Sequence, residues 1–144
     1  MFQILIAEDD KNTRKLMEAV LKCNGFNPIP ASSGEEALKH LDRHHIDLAV
    51  LDIMMPGMDG YELTRHLRSM DYNLPILMVT AKVLPEDKRK GFMAGTDDYM
   101  TKPVDEEEMV LRIRALLRRA QIASERKITI GSVTLDYDSL SVTR

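Results

Sequence analysis

Cysteine occurs once in the 144 residues, at Cys23, which excludes an intrachain disulfide and the disulfide-stapled frameworks of small secreted domains. Long apolar runs are also missing: no stretch approaches the ~20 residues that a membrane span needs. The segment from Phe2 to Ala7 is too short for the apolar core of a signal peptide and runs straight into Glu8, Asp9 and Asp10. Neither sign of charge dominates. Twenty Lys and Arg against 23 Asp and Glu give a net charge of −3, which is not the footprint of a polycationic nucleic-acid binder. There is no internal repeat and no low-complexity segment. A reducing, cytoplasmic location is therefore expected, with Cys23 a small residue near the polar end of a helix rather than a nucleophile.

What the chain does have is alternation. Hydrophobic residues make up 44%, and strand-like apolar runs alternate with helical patterns, the signature of an α/β domain on a parallel sheet. Strands are expected at Gln3–Ala7, at 26–31, at 46–52, at 75–80 and at 98–101. Pro28 and Pro30 cannot donate to a ladder, so the second strand belongs at an edge. Ser33-Gly34-Glu35-Glu36 has the form of a capping box that opens the second helix. Gly25 and Gly95 stop the first and fourth helices, Pro85 suits the first turn of the fourth, and Gly91 weakens its interior. The last helix is expected from Asp105 to about Arg119, acidic in its first turn and basic in its last, as the helix dipole favours. Residues 121–126 then read as a linker, and 127–144 alternate as short β-strands too few to bury a core. The expected organisation is a domain over 1–120, a linker, and the opening of an incomplete second domain.

The strand ends carry the chemistry. The first run leads into Glu8-Asp9, the third into Asp52, the fourth ends at Thr80, and the fifth leads into Lys102-Pro103. In an open parallel sheet, sites form in the crevice outside the carboxyl ends of the strands. Three carboxylates at one edge repel each other unless a cation joins them, and hard oxygen ligands suit Mg²⁺. Asp52 can then attack phosphorus as a nucleophile, with Lys102 and Thr80 stabilising charge on the transferred group. By contrast, His44-His45 lacks nearby ligand spacing, and Met54, Met55 and Met58 read as an apolar loop lining.

Glu8-Asp9, Asp52, Thr80-Ala81, Tyr99 and Lys102-Pro103, with the phrases Leu51-Asp52-Ile53-Met54-Met55-Pro56 and Asp97-Asp98-Tyr99, make residues 1–119 resemble the receiver domain of bacterial two-component response regulators. The resemblance implies a flavodoxin-like (CheY-like), doubly wound five-stranded parallel sheet of order 2-1-3-4-5 with five helices. It implies that Asp52 accepts a phosphoryl group from a sensor histidine kinase, and that Glu8, Asp9, Asp52 and the Met54 carbonyl hold Mg²⁺. Thr80 and Lys102 would assist transfer, Thr80 and Tyr99 would switch, and the bond before Pro103 would be cis. The first-helix residues Arg14, Lys15 and Glu18 would face the kinase.

The Asp97-Asp98-Tyr99 phrase before an arginine-bearing helix further resembles the OmpR/PhoB subfamily. That implies a phosphorylation-driven homodimer through helix 4, strand 5 and helix 5, with cross-interface pairs Lys88–Glu108, Asp98–Arg112 and Asp97–Arg119. It also implies that the tail opens a winged-helix DNA-binding domain, so that transcription regulation and DNA contact belong to a longer parent. Thr96 and Val104 depart from the subfamily's usual alanine and phenylalanine.

Three other readings compete. A phosphohydrolase using Asp52 would need an acid where Met54 stands. A flavin module would need a phosphate loop where Glu8-Asp9-Asp10 would repel the ligand. A stand-alone receiver acting by protein contact is opposed by the β-rich tail. The expectation is a phosphorylation-controlled signalling domain rather than an enzyme with turnover.

Overall fold

The structure, a computed structural model, describes residues 1–70, 72–81 and 84–133, with side chains up to residue 122. Five strands, β1 (Gln3–Ala7), β2 (Asn27–Ala31), β3 (Leu48–Leu51), β4 (Ile76–Thr80) and β5 (Asp98–Thr101), alternate with five helices. The helices are α1 (Lys11–Cys23), α2 (Gly34–Arg43), α3 (Gly60–Ser69), α4 (Pro85–Ala94) and α5 (Glu106–Val133). The strands form one parallel sheet in the order β2-β1-β3-β4-β5, as the resemblance implied.

Strand alternation sorts the core into two layers. Leu5, Ala7, Ala49, Leu51, Ile76, Met78 and Tyr99 face α2, α3 and α4, while Ile4, Ile6, Leu48, Val50, Leu77, Val79 and Met100 face α1 and α5. β2 is an edge strand. Pro28 and Pro30 are two residues apart, so both missing N–H groups fall on its open side, while the Asn27 and Glu8 amides that flank it donate to Phe2 and Ala31 carbonyls.

Helix starts follow side-chain chemistry. Asp10 caps α1 by accepting from the Thr13 amide, and Ser33 caps α2 by accepting from the Glu36 amide. The reciprocal half of the expected α2 box is not made, because the Glu36 carboxylate accepts from the Ser32 amide and hydroxyl at 2.7 and 2.8 Å instead. A complete capping box forms at α3, between Asp59 and Glu62.

The tail differs from its expectation. α5 runs on to Val133, through the segment expected as linker and first strand. Between Pro103 and Gly131 the chain has no glycine or proline to stop a helix, and a helix closes its own hydrogen bonds whereas a strand needs a neighbour. The rest of the expected β-region, 134–144, lies outside the described residues.

Gly60 fixes the β3–α3 connection that carries Asp52. A Cβ there would run into the Asp52 carbonyl and come within 2.8 Å of Ile53 Cα, both backbone atoms that cannot swing aside. Gly60→Ala should therefore destabilise the chain by about 1–3 kcal/mol in urea unfolding, despite alanine's better helix propensity. An unchanged midpoint would show that the connection yields freely.

Candidate functional site

Glu8, Asp52 and Lys102 each lie one position past a strand end, where a backbone hydrogen bond to the neighbouring strand fixes them, while Thr80 is the last residue of β4. The Glu8 amide donates to Ala31 O at 3.0 Å, that of Asp52 to Ala7 O at 2.9 Å, and that of Lys102 to Thr80 O at 2.8 Å. The parallel register turns these separate anchors into one constellation. Lys102 Nζ donates to Asp52 Oδ2 at 2.9 Å and lies 2.7 Å from Glu8 Oε1, so it bridges the two carboxylates. Glu8 and Asp52 are buried, Thr80 is fully buried, and Asp9 is exposed at the rim. The peptide bond before Pro103 is cis.

Carboxylate oxygens of Glu8, Asp9 and Asp52 all lie within 4.8 Å of one another. Against the single ammonium of Lys102 they leave two negative charges, the amount a divalent cation cancels. The second Glu8 oxygen, Oε2, accepts from the Asp10 amide at 3.0 Å, while Oε1 is buried without an aligned hydrogen-bond donor despite its ion pair. An all-oxygen, charge-deficient donor set of this kind fits a hard cation such as Mg²⁺. Burial pushes the Glu8 carboxyl above its usual range, and the Asp52 charge adds to this against the opposing pull of Lys102 and the Asp10 amide. Burial alone would lower the Lys102 ammonium, but its bonds to Glu8 and Asp52 outweigh that and hold it above its usual value.

The Met54 amide approaches Asp52 Oδ1 at 3.3 Å, and the Met54 side chain is exposed. Arg14 turns back onto the acidic loop, donating to the Glu8 carbonyl at 2.7 Å, so it shapes the site as well as lying on α1. Tyr99 points inward from β5 into the layer under α3 and α4.

Four of the six residues expected at a dimer face, Asp97, Asp98, Glu108 and Arg112, are engaged within the chain. Arg112 donates to both Asp98 oxygens at 2.9 Å and pairs with Glu108 at 2.8 Å. Asp97 accepts from Arg68 and from the Ile76 amide, both at 2.8 Å. Lys88 and Arg119 are exposed. Thr96 is buried, its Oγ1 2.9 Å from the carbonyls of both Ile76 and Asp98, and Val104 packs on the α1/α5 core.

Sequence reasoning missed Arg68. Its guanidinium donates to the carbonyls of Tyr72, Leu74 and Gly95 as well as to Asp97, tying the end of α3 to the α4–β5 turn. In the sequence it is indistinguishable from any last-turn cation.

Residues 4–114 match the response regulator receiver domain family. The chain belongs to that family. It is 42% identical over 142 residues to the heme response regulator HssR of Staphylococcus aureus (strain bovine RF122 / ET3-1), an alignment covering 99% of this chain and 63% of that protein. It thus spans about 63% of the length of the curated relatives it matches. Among solved structures, the receiver domain of Francisella response regulator 1452 superposes with a TM-score of 0.80 at 33% identity, covering 83% of this chain and 99% of that one. A two-component response regulator from Clostridium difficile gives 0.80 at 28% identity, covering 83% and 98%. Receivers are signalling domains, and among the described residues no helix is long and apolar enough to cross a membrane.

Two outcomes are expected of this geometry. Arg68→Lys should cost about 1–3 kcal/mol in urea unfolding, since an ammonium cannot reproduce a planar fork serving three carbonyls and a carboxylate; no change would mean water serves those groups equally well. For Glu8, a raised folded value means that the folded state prefers the protonated acid. Without divalent metal, stability should therefore fall as pH rises from the ordinary glutamate value through the folded one. Over that window Glu8→Gln should become progressively more stable relative to the parent, and a constant difference across pH would contradict the assignment.

Proposed function

We propose that this receiver is phosphorylated on Asp52 by a sensor histidine kinase, with Mg²⁺ held by Glu8, Asp9, Asp52 and the Met54 carbonyl. The observation that carries the reading is the Lys102 bridge between Glu8 and Asp52, which ties an acid pair, a nucleophile and a cation together at one sheet edge. A carboxylate oxygen of Asp52 attacks phosphorus, the phosphorus–nitrogen bond of the kinase phosphohistidine breaks, and the imidazole leaves with the electron pair. When bound, the metal offsets negative charge on the incoming phosphoryl group. Lys102 exchanges part of its bond to Asp52 for the phosphoryl oxygens, and the Thr80 hydroxyl, at the adjacent strand end, donates to them. Water attack on the acyl phosphate resets the site. Lys15 and Glu18, on the exposed side of α1, meet the kinase together with the rim of the acidic loop.

The finer reading is an OmpR/PhoB-type regulator. Phosphorylation drives a homodimer through α4, β5 and α5, and a longer parent binds DNA through a winged-helix domain and regulates transcription in the cytoplasm. Supporting it are the Asp97-Asp98-Tyr99 phrase and the exposed apolar residues Phe92, Met93 and Leu111 beside it. Asp98 and Arg112 would exchange their pairing within the chain for pairing across the interface, Glu108 would turn to Lys88 and Asp97 to Arg119. Such rim pairs contribute ~0–1 kcal/mol each and set register, while the apolar residues supply affinity. Moving a switch from 1:99 to 99:1 takes ~5.5 kcal/mol of differential stabilisation, which phosphoryl contacts and dimer burial would share.

Intact-mass measurement after incubation with acetyl phosphate should show one labile phosphoryl group that requires Mg²⁺ and is abolished by EDTA or by Asp52→Asn, with sedimentation then reporting the dimer. No adduct on a folded chain would overturn the reading.

A further inference from the structure

Glycine in the middle of a helix weakens it relative to alanine, yet Gly91 occupies the interior of α4. The structure supplies a reason. A Cβ at Gly91 would stand 3.1 Å from Tyr99 Cε2 and 3.2 Å from Cδ2, closer than a methyl group and a ring normally pack. The Tyr99 ring lies against bare helix backbone at this point, 7% exposed, with the Phe92 ring tilted beside it at a centroid distance of 6.4 Å.

The Tyr99 ring shares its buried core layer with Tyr61, the residue that follows Gly60 in the first turn of α3. Tyr61 is itself 3% exposed and donates to the Asp87 carbonyl in the first turn of α4 at 3.0 Å. A carbonyl cannot donate, so the single Tyr61 proton goes to Asp87. Lys90 Nζ covers the Tyr61 ring, 4.6 Å from its centroid. Tyr61 therefore ties the start of α3 to α4, one residue from the glycine packed on the Asp52 carbonyl.

We propose that Tyr61 and Gly91 are positioning residues that together form the inward seat of Tyr99, coupling the ring to the first turn of α4 so that the two respond to the phosphorylation site as a unit. The proposal rests on the reading of Tyr99 as the switch aromatic. Tyr61 supplies the hydroxyl that holds the first turn of α4 over the ring, and Gly91 supplies the clearance that lets the ring enter. Neither touches the reacting atoms.

The test uses the full chain labelled with 3-fluorotyrosine, the Tyr99 signal being assigned by its loss in Tyr99→Phe. Tyr61→Phe and Gly91→Ala should each move the Tyr99 fluorine resonance and increase its solvent exposure. Each should weaken the phosphorylated dimer by roughly tenfold, the weight of one hydrogen bond, with the rate of phosphorylation by acetyl phosphate unchanged. A thermal double-mutant cycle needs no phosphorylation. In the parent, Gly91→Ala should fail to raise Tm, whereas in a Tyr99→Ala background it should raise Tm by about 3 °C, as helix propensity alone dictates.

Equal gains in Tm in both backgrounds, with the Tyr99 resonance unmoved, would overturn the seat. A moved resonance with an unchanged phosphorylated dimer would overturn its positioning role. Absence of phosphorylation in the parent would instead strike the function proposed for Asp52, leaving the result of the cycle to stand by itself.

Discussion

The ion pair of Lys102 with Glu8 and Asp52 is the contact on which the site depends. Two carboxylates buried side by side at the end of a sheet would repel each other and resist ionisation. One ammonium between them lets both remain in place, while the third acid, Asp9, stays at the rim where solvent and a cation can reach it. Burying charge is costly unless it is paired, and removing one partner of a buried pair typically costs ~3–5 kcal/mol; Lys102 retains 21% side-chain exposure, so water lessens that figure here. The arrangement is stable enough to persist and still short of positive charge, a combination suited to receiving a cation and an anionic group together.

Holding that bridge is the work of the sheet. Glu8, Asp52 and Lys102 come from strand ends far apart in the chain, and each is pinned by a single backbone hydrogen bond to the strand next to it. The same parallel register that divides the core into two apolar layers thus sets the spacing of the charged groups. Gly60 lets the start of α3 press against the backbone at Asp52, so the connection after Asp52 is as constrained as the strand before it.

On the α4–β5–α5 side of the sheet, charges are satisfied inside the chain. Arg68 clamps the α4–β5 turn through four acceptors, and Asp97 is shared between that clamp and the β4 backbone. Asp98, Arg112 and Glu108 form a second closed set. A face built this way is held in shape by the chain's own pairs, with Phe92, Met93 and Leu111 exposed beside them.

The sequence by itself determined the class of sheet, its edge strand, the Ser33 cap of α2 and the identity of every group at the strand ends, because these follow from local period, proline chemistry and residue type. Family resemblance supplied the strand order and the cis bond. Only the tertiary structure decided that Lys102 bridges two acids, that Arg68 is a hub rather than one more last-turn cation, and that Gly91 is clearance rather than weakness. Each of these depends on contacts between residues distant in the chain, and local pattern carries a period but names no partner. The same limit explains α5. Alternation at 127–133 favours a strand, but a strand exists only where another backbone pairs with it, and there the chain continues as helix.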